Sequence, residues 1–416
     1  MDKIHILLCD VLTNKNKHKL CKDEVKSLYH IAVKHGIWPI LFLNLKCLFQ
    51  NGLAEIEQEQ MDIWENEYLF NVIRNIKKIS YVHKTIKMLE KKAVPCCILK
   101  GETLAQLYPV PEARISGDTD LFVGKEQIHE AVEIVKEMGY KSELKESLSH
   151  HIVCQSPIGG TIELHLTLHE EFIEEIWFDN QIVFQEPFRI IELENQEFRT
   201  LGYTDGAIFN TLHLIKHFLS SGVGLRQVLD VLLYIKEYKN EIDWLRFNQL
   251  MKNLKYDKFI NVLYHIGVKY LNFDPENFKL RAVENEIVES TMNEIMEAGS
   301  FGLGENKRKE FYKTYTRERF HVFHSEDYSR YIEQRIMEKK SKIIFLNRER
   351  ISIRYPYVKK SVLLLPIAWI HRLFNFGICL FRGKKKLDDY KTFENKNEQS
   401  DFVQKKMSLI RELDMI

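Results

Sequence analysis

Between Glu59 and Lys92 the apolar residues Ile63, Leu69, Phe70, Val72, Ile73, Ile76, Ile79, Val82, Ile86 and Leu89 recur at steps of three and four. Asn, Lys and Glu fill the positions between them, and neither Pro nor Gly interrupts the run. That period predicts one amphipathic helix, roughly 50 Å long at 1.5 Å per residue. A helix of this length must pack along a neighbouring body to cover its stripe. Glu24–Val33 and Leu41–Phe49 repeat the pattern upstream, so residues 1–93 read as an N-terminal helical region. Gly and Pro number only 18 and 9 in 416 residues, which again favours long helices over frequent turns.

The texture changes at Val94. The run Val94-Pro95-Cys96-Cys97-Ile98-Leu99 is short and β-prone and stops at Lys100-Gly101. Glu102–Leu107 reads as one or two helical turns, Asp118–Val123 as a strand and Lys125–Met138 as a helix. Short strands follow around Tyr140–Leu144, His151–Gln155, Thr161–Thr167 and Phe188–Leu193. The mixture predicts an α+β core over residues 94–200, a small mixed β-sheet flanked by N-terminal and C-terminal helical regions. The helical period returns at Thr204, giving two packed helices and then helices through Trp244–Asn272 and Val283–Glu297, a helical domain over 201–325. Phe301–Gly304 reads as a loop. Residues 326–416 form a last helical region with a polar stretch after Leu387.

The chemistry concentrates in two segments. In the first, a strand runs into Lys100-Gly101 and a helix starts directly after it. Glycine lets the backbone approach a ligand closely, a helix N-terminus offers unpaired N–H groups, and Lys100 adds positive charge, a combination suited to phosphate. Further along, Asp118 and Asp120 stand two apart on a strand, so both carboxylates face one side. Two like charges there repel, and a hard divalent cation relieves the conflict. Taken alone, the pair fits a solvated strand edge somewhat better than a metal site. A third carboxylate lies in Thr161–Thr167, where Ile162, Leu164 and Leu166 make one face and Glu163, His165 and Thr167 the other. An antiparallel pairing of the two strands would bring Glu163 to the aspartates, forming a site able to hold two metals and to deprotonate an attacking hydroxyl.

Residues 98–123 with 161–167 resemble the polymerase-β-type nucleotidyltransferase superfamily, and more narrowly a bacterial branch with Leu-Lys-Gly followed by Arg-x-Ser-x-Asp-x-Asp. The resemblance implies a small mixed sheet with helices on one side. It also implies transfer of a nucleoside monophosphate from a nucleoside triphosphate to an acceptor hydroxyl with pyrophosphate release, using Mg²⁺ or Mn²⁺. Asp118, Asp120 and Glu163 then stand for the catalytic, metal-binding carboxylates, and Lys100, Gly101, Arg114 and Ser116 for the nucleotide contacts. Two departures mark this chain. Sixteen residues separate Gly101 from Asp118, a longer stretch than the superfamily pattern has, and Glu102 replaces the serine usual after the glycine. The alternative is a catalytically inactive nucleotide-binding or scaffold protein that keeps the fold.

Other features are less specific. His213 and His217 lie four apart beside Lys216 on a helix, without the glutamate of a metalloprotease motif, and read first as a packed pair and second as nucleotide contacts. His165 shares the Glu163 face, Arg226 and Asp230 fit an i,i+4 ion pair, and His150 and His151 precede a strand. Lys+Arg total 60 against 59 Asp+Glu, a net charge of +1, which disfavours long nucleic acid as a partner and leaves protein, small-molecule, sugar and RNA acceptors open. Seven cysteines without a CxxC pair argue against disulfides and zinc clusters, and the short apolar N-terminus argues against a signal peptide, so a cytoplasmic location is expected. The apolar run 361–381, flanked by basic residues across 359–386, has the length of a membrane span but carries His371, Arg372 and Asn375 near its middle. A buried or partner-facing helix is the first reading there, and peripheral attachment to anionic lipid the second.

Overall fold

The computed structural model describes residues 3–16, 18–142, 151–168, 184–220, 222–299, 361, 364–370, 405–406 and 408–415. The chain divides into two compact units, Met1–Arg317 with Ser408–Met415, and Glu318–Met407 with Ile416. Within the second unit, residues 365–370 are helical. Most of 326–416, most of the apolar-basic segment 359–386, the loop 301–304, His150 and Trp177 lie outside the described residues. Among the described residues no helix is long and apolar enough to cross a membrane.

The first unit opens with four helices, α1 (Lys3–Leu12), α2 (Lys22–Lys34), α3 (Trp38–Gln50) and α4 (Gln58–Lys91). The start of α2 is fixed by a capping box in which the Cys21 N–H donates to Glu24 Oε2 at 3.1 Å. The long period seen in the sequence is realised as the 34-residue α4. Its stripe is used unevenly. Val82, Ile86 and Leu89 are buried against the sheet, whereas Ile63, Leu69, Phe70, Ile73 and Ile76 remain 43–66% exposed. Over that same stretch two residues of the expected polar face, Asn75 and Lys78, turn inward instead. The Asn75 amide donates to the carbonyls of Glu112 (2.7 Å) and Arg114 (3.0 Å), so hydrogen bonds, not apolar burial, dock the middle of the helix.

The core sheet contains β1 (Cys97–Ile98), β2 (Asp118–Phe122), β3 (Lys141–Ser142), β4 (His151–Gln155), β5 (Thr161–His165), β6 (Arg189–Leu193) and β7 (Gln196–Thr200), in the order β3-β4-β5-β2-β1-β7-β6. It is mixed: β2 runs parallel to β5 and β1 parallel to β7, and the remaining pairs are antiparallel. Two short helices interrupt it, the single turn α5 (Glu102–Ala105) and α6 (Ile128–Glu137). Leu121, Ile162, Leu164, Ile152 and Cys154 pack with α6 and the end of α4 on one face. Helix α7 (Tyr203–Ser220) supplies Phe209 to a second cluster with Cys97 and Leu99 on the other. The fold is α+β as expected, but helices cover both faces of the sheet and not one. The reason lies in β1 and β2: Cys97 and Leu99 are as apolar as Ile98 and Leu121, so both sides need covering.

Helices α8 (Leu225–Glu237), α9 (Trp244–Asn253), α10 (Asp257–Leu271) and α11 (Asn285–Ala298) follow, and residues 408–412 are helical again. The apolar stretch read as running through Trp244–Asn272 is broken at Leu254-Lys255-Tyr256, where Lys255 adopts φ 58°. Strand β7 was not anticipated, because only Phe198 and Thr200 of its five residues face inward among Gln, Glu and Arg.

Candidate active site

Strand β2 ends the Arg114–Gly117 loop and presents Asp118 and Asp120 on one side. The two strands expected to pair antiparallel are parallel, with Asp120 opposite Glu163 and Asp118 opposite Thr161. A parallel pairing needs a crossover, and the chain between β2 and β5 supplies one through α6, β3 and β4. The three carboxylates converge nonetheless, with oxygens of Asp118, Asp120 and Glu163 all within 4.8 Å of one another.

Asp120 is fully buried. Its Oδ1 accepts from His165 Nε2 at 2.9 Å, which fixes the proton of that imidazole on Nε2. Its Oδ2 lies 3.3 Å from Lys100 Nζ, an ion pair whose geometry leaves Oδ2 without a hydrogen bond. Burial alone would raise this carboxyl, but Lys100 and His165 override it and hold the group far below the usual carboxylate range. Glu163 shows the reverse balance: burial, then Asp120 and Asp118, push its pKa up to about 7. A site that keeps one buried carboxylate oxygen unbonded and drives a neighbouring carboxyl toward protonation is short of positive charge. Carboxylate oxygens alone are also the donor set that suits Mg²⁺ or Mn²⁺, so these residues fit a divalent cation.

Lys100, Gly101, Arg114, Ser116 and Asp118 line one cleft, closed on its other side by His213 and His217 of α7 and Arg226 of α8. Gly101 adopts φ 89°, ψ −102°, a conformation that L side chains rarely take, and this turn carries Lys100 toward Asp120. The helix after it is a single turn, too short for a substantial dipole, so the cleft has the glycine backbone and Lys100 but not a strong helix end. Ser116 Oγ donates to the Asp118 carbonyl at 2.8 Å and ties the loop to β2. Arg114 turns its fork inward: Nε and Nη2 each donate to Asp230 of α8 at 2.7 Å, and Nη1 reaches the Gly101 carbonyl at 3.3 Å. Tyr108 adds a third bond to Asp230 at 2.7 Å, and Arg226 approaches it at 3.4 Å. The expected Arg226–Asp230 pair is therefore present, but Asp230 is held chiefly by Arg114.

The histidines read as a packed pair do pack on each other, ring centroids 4.5 Å apart and edge to face, and they also line the cleft. Lys100 Nζ lies 2.6 Å from His213 Nε2, and His217 Nε2 lies 2.9 Å from the same atom. An ammonium only donates, so Lys100 donates to His213 Nε2. His151 and His165 approach Glu163 Oε2 at 3.6 and 3.7 Å. One residue that sequence reasoning passed over also arrives here: Lys78 of α4 donates to Ser116 Oγ at 3.1 Å.

No curated protein matches the chain, and no solved structure does. A family model described as an uncharacterised nucleotidyltransferase matches residues 22–272. The match begins at the first residue of α2 and ends at Asn272, the left-handed cap that closes α10, so it takes in the sheet, the cleft and the helices on either side. It spans well over half of the 416 residues, and the chain belongs to this family of uncharacterised nucleotidyltransferases.

Proposed function

We propose that the protein transfers a nucleoside monophosphate from a nucleoside triphosphate to an acceptor hydroxyl with release of pyrophosphate, using Mg²⁺ or Mn²⁺. The observation that carries this reading is the convergence of Asp118, Asp120 and Glu163 beside a cleft lined by Lys100, Gly101 and Ser116. Asp118 and Asp120 would hold the divalent cation, with Glu163 as the third carboxylate. The cation, when bound, supplies charge neutralisation and Lewis acidity toward the α-phosphate. Lys100, Gly101 and Ser116 bind the triphosphate, with His217 and Arg226 on the far wall of the cleft; Arg114, whose fork is held by Asp230, offers it only the N–H groups those bonds leave over. Glu163 accepts the proton of the acceptor hydroxyl as its oxygen bonds to the α-phosphorus. The bond from that phosphorus to the β-phosphate oxygen breaks, and pyrophosphate leaves with the electron pair. His165 holds Asp120 in place through its Nε2–H. The acceptor class stays open among protein, small molecule, sugar and RNA.

A second reading, nucleotide binding without turnover, draws on one observation. Lys100 already pairs with Asp120 and brings a positive charge to the position where a cation would neutralise it. Calorimetry and a pyrophosphate assay separate the two. The transferase reading expects binding of a nucleoside triphosphate with Mg²⁺ and pyrophosphate release in the presence of a cell extract as acceptor source. Binding with no release under any nucleotide would overturn it in favour of the second reading.

A further inference from the structure

We infer that Lys78, carried by α4 of the N-terminal helical region, is a triphosphate ligand of this site, an inference that rests on the nucleotide-binding reading above. Its residue is 8% exposed, yet among the described residues its Nζ has only neutral acceptors, the Ser116 carbonyl at 3.3 Å and Ser116 Oγ at 3.1 Å. It makes no ion pair with any carboxylate among the described residues. An ammonium has three N–H donors, and Ser116 takes two of them. Taking an ammonium out of water without a counter-ion is costly, and such a charge is retained where an anion comes to meet it. Burial accordingly pushes the Lys78 pKa down, with Glu102, Asp118 and Asp120 only partly offsetting the effect. Glu102 lines the same cavity, where Thr119 Oγ1 donates to its Oε1 at 2.9 Å and its buried Oε2 has no hydrogen-bond partner, and it makes no ion pair with Lys78.

The surroundings hold Lys78 in this place. One turn earlier, Asn75 locks α4 to the Glu112 and Arg114 carbonyls, so the helix cannot rotate the lysine away. Its stem lies against Gly160, where a Cβ would stand 3.5 Å from Lys78 Cδ. The cavity beside Lys78 shares Gly101, Arg114 and Ser116 with the main cleft; Lys78 lines only the smaller cavity, so it meets a phosphate in the cleft across Ser116. The anion this geometry suits is a phosphate oxygen seated at Ser116, and the N-terminal helix is then part of the active site.

The test uses the full chain, with inorganic tripolyphosphate and each of the four common nucleoside triphosphates as probes, all with Mg²⁺. Lys78→Met removes the charge and keeps the stem, whereas Lys78→Arg keeps the charge. The expected result is that Lys78→Met weakens Kd for tripolyphosphate by roughly tenfold or more, that Lys78→Arg recovers most of this, and that Lys78→Met melts no lower than wild type without phosphate. If Lys78→Met does not fold, Lys78→Gln, which keeps a donor to Ser116 without the charge, is measured in its place. Wild-type affinity in the charge-free variant, with wild type itself binding, overturns the inference alone. Failure of wild type to bind any of the probes overturns the nucleotide reading beneath it.

Discussion

Asp120 and Glu163 occupy paired positions on two parallel strands, with the first carboxylate fully buried and the second pushed up to a pKa of about 7. In the unfolded chain a glutamate titrates near 4.5, so between these values the folded state binds more protons. Stability from this group therefore falls as pH rises from about 4.5 to 7, and the penalty is complete above that window. A divalent cation held by these carboxylates would remove the penalty by taking over from the proton. The melting temperature gained on adding Mg²⁺ or Mn²⁺ is expected to be larger at pH 8 than at pH 5, and Glu163→Gln is expected to abolish the difference. Equal gains at both pH values would contradict the account.

Arg114 and Asp230 form a buried, two-pronged ion pair that joins the loop before β2 to α8. Removing one partner leaves an uncompensated charge, so Asp230→Ala is expected to cost about 3–5 kcal/mol in urea denaturation. The triple change Arg114→Met and Arg226→Met with Asp230→Leu removes all three charges and should regain most of that loss. A single substitution costing under about 1 kcal/mol would show that the pair does not hold these elements together.

His35 joins three helices. Its Nδ1 accepts from the Leu225 N–H at 3.2 Å, and its Nε2 donates to the Met296 carbonyl at 3.2 Å. Burial, and then Lys34, depress its pKa from 6.5 to about 3. The unfolded chain binds the proton first, so this contribution is full above about pH 6.5 and is lost as pH falls toward 3. Unfolding free energies between pH 4 and 6 should rise with pH more steeply in wild type than in His35→Gln, by up to about 1.4 kcal/mol per pH unit. Parallel slopes would refute the assignment of a neutral buried imidazole.

Much of the site could be read from residues close together in the chain. The Asp118-Thr119-Asp120 alternation, the Thr161–His165 alternation and the Lys100-Gly101 turn are local patterns, and period two or a glycine reveals each without knowledge of the fold. What remained hidden depends on contacts distant in sequence. The parallel sense of β2 and β5 follows from a crossover through α6, β3 and β4, which alternation does not encode. Asp230 lies 116 residues from Arg114, and its natural local partner was Arg226, four residues away. Lys78 sits next to Lys77 in what reads as a solvated face, and only the docking of Asn75 turns that face inward. Strand β7 hides because it exposes three of five residues to solvent as Gln, Glu and Arg.

The most direct test of the central claim is transfer of label from each of the four nucleoside triphosphates, labelled at the α-phosphate, to an acceptor in a cell extract with Mg²⁺. The account predicts transfer with stoichiometric pyrophosphate release by wild type, and a loss of at least about 10³-fold in Asp118→Asn with Asp120→Asn, given the several kcal/mol of charge stabilisation such carboxylates control through the cation. Transfer that persists at wild-type rate in the double variant would contradict it.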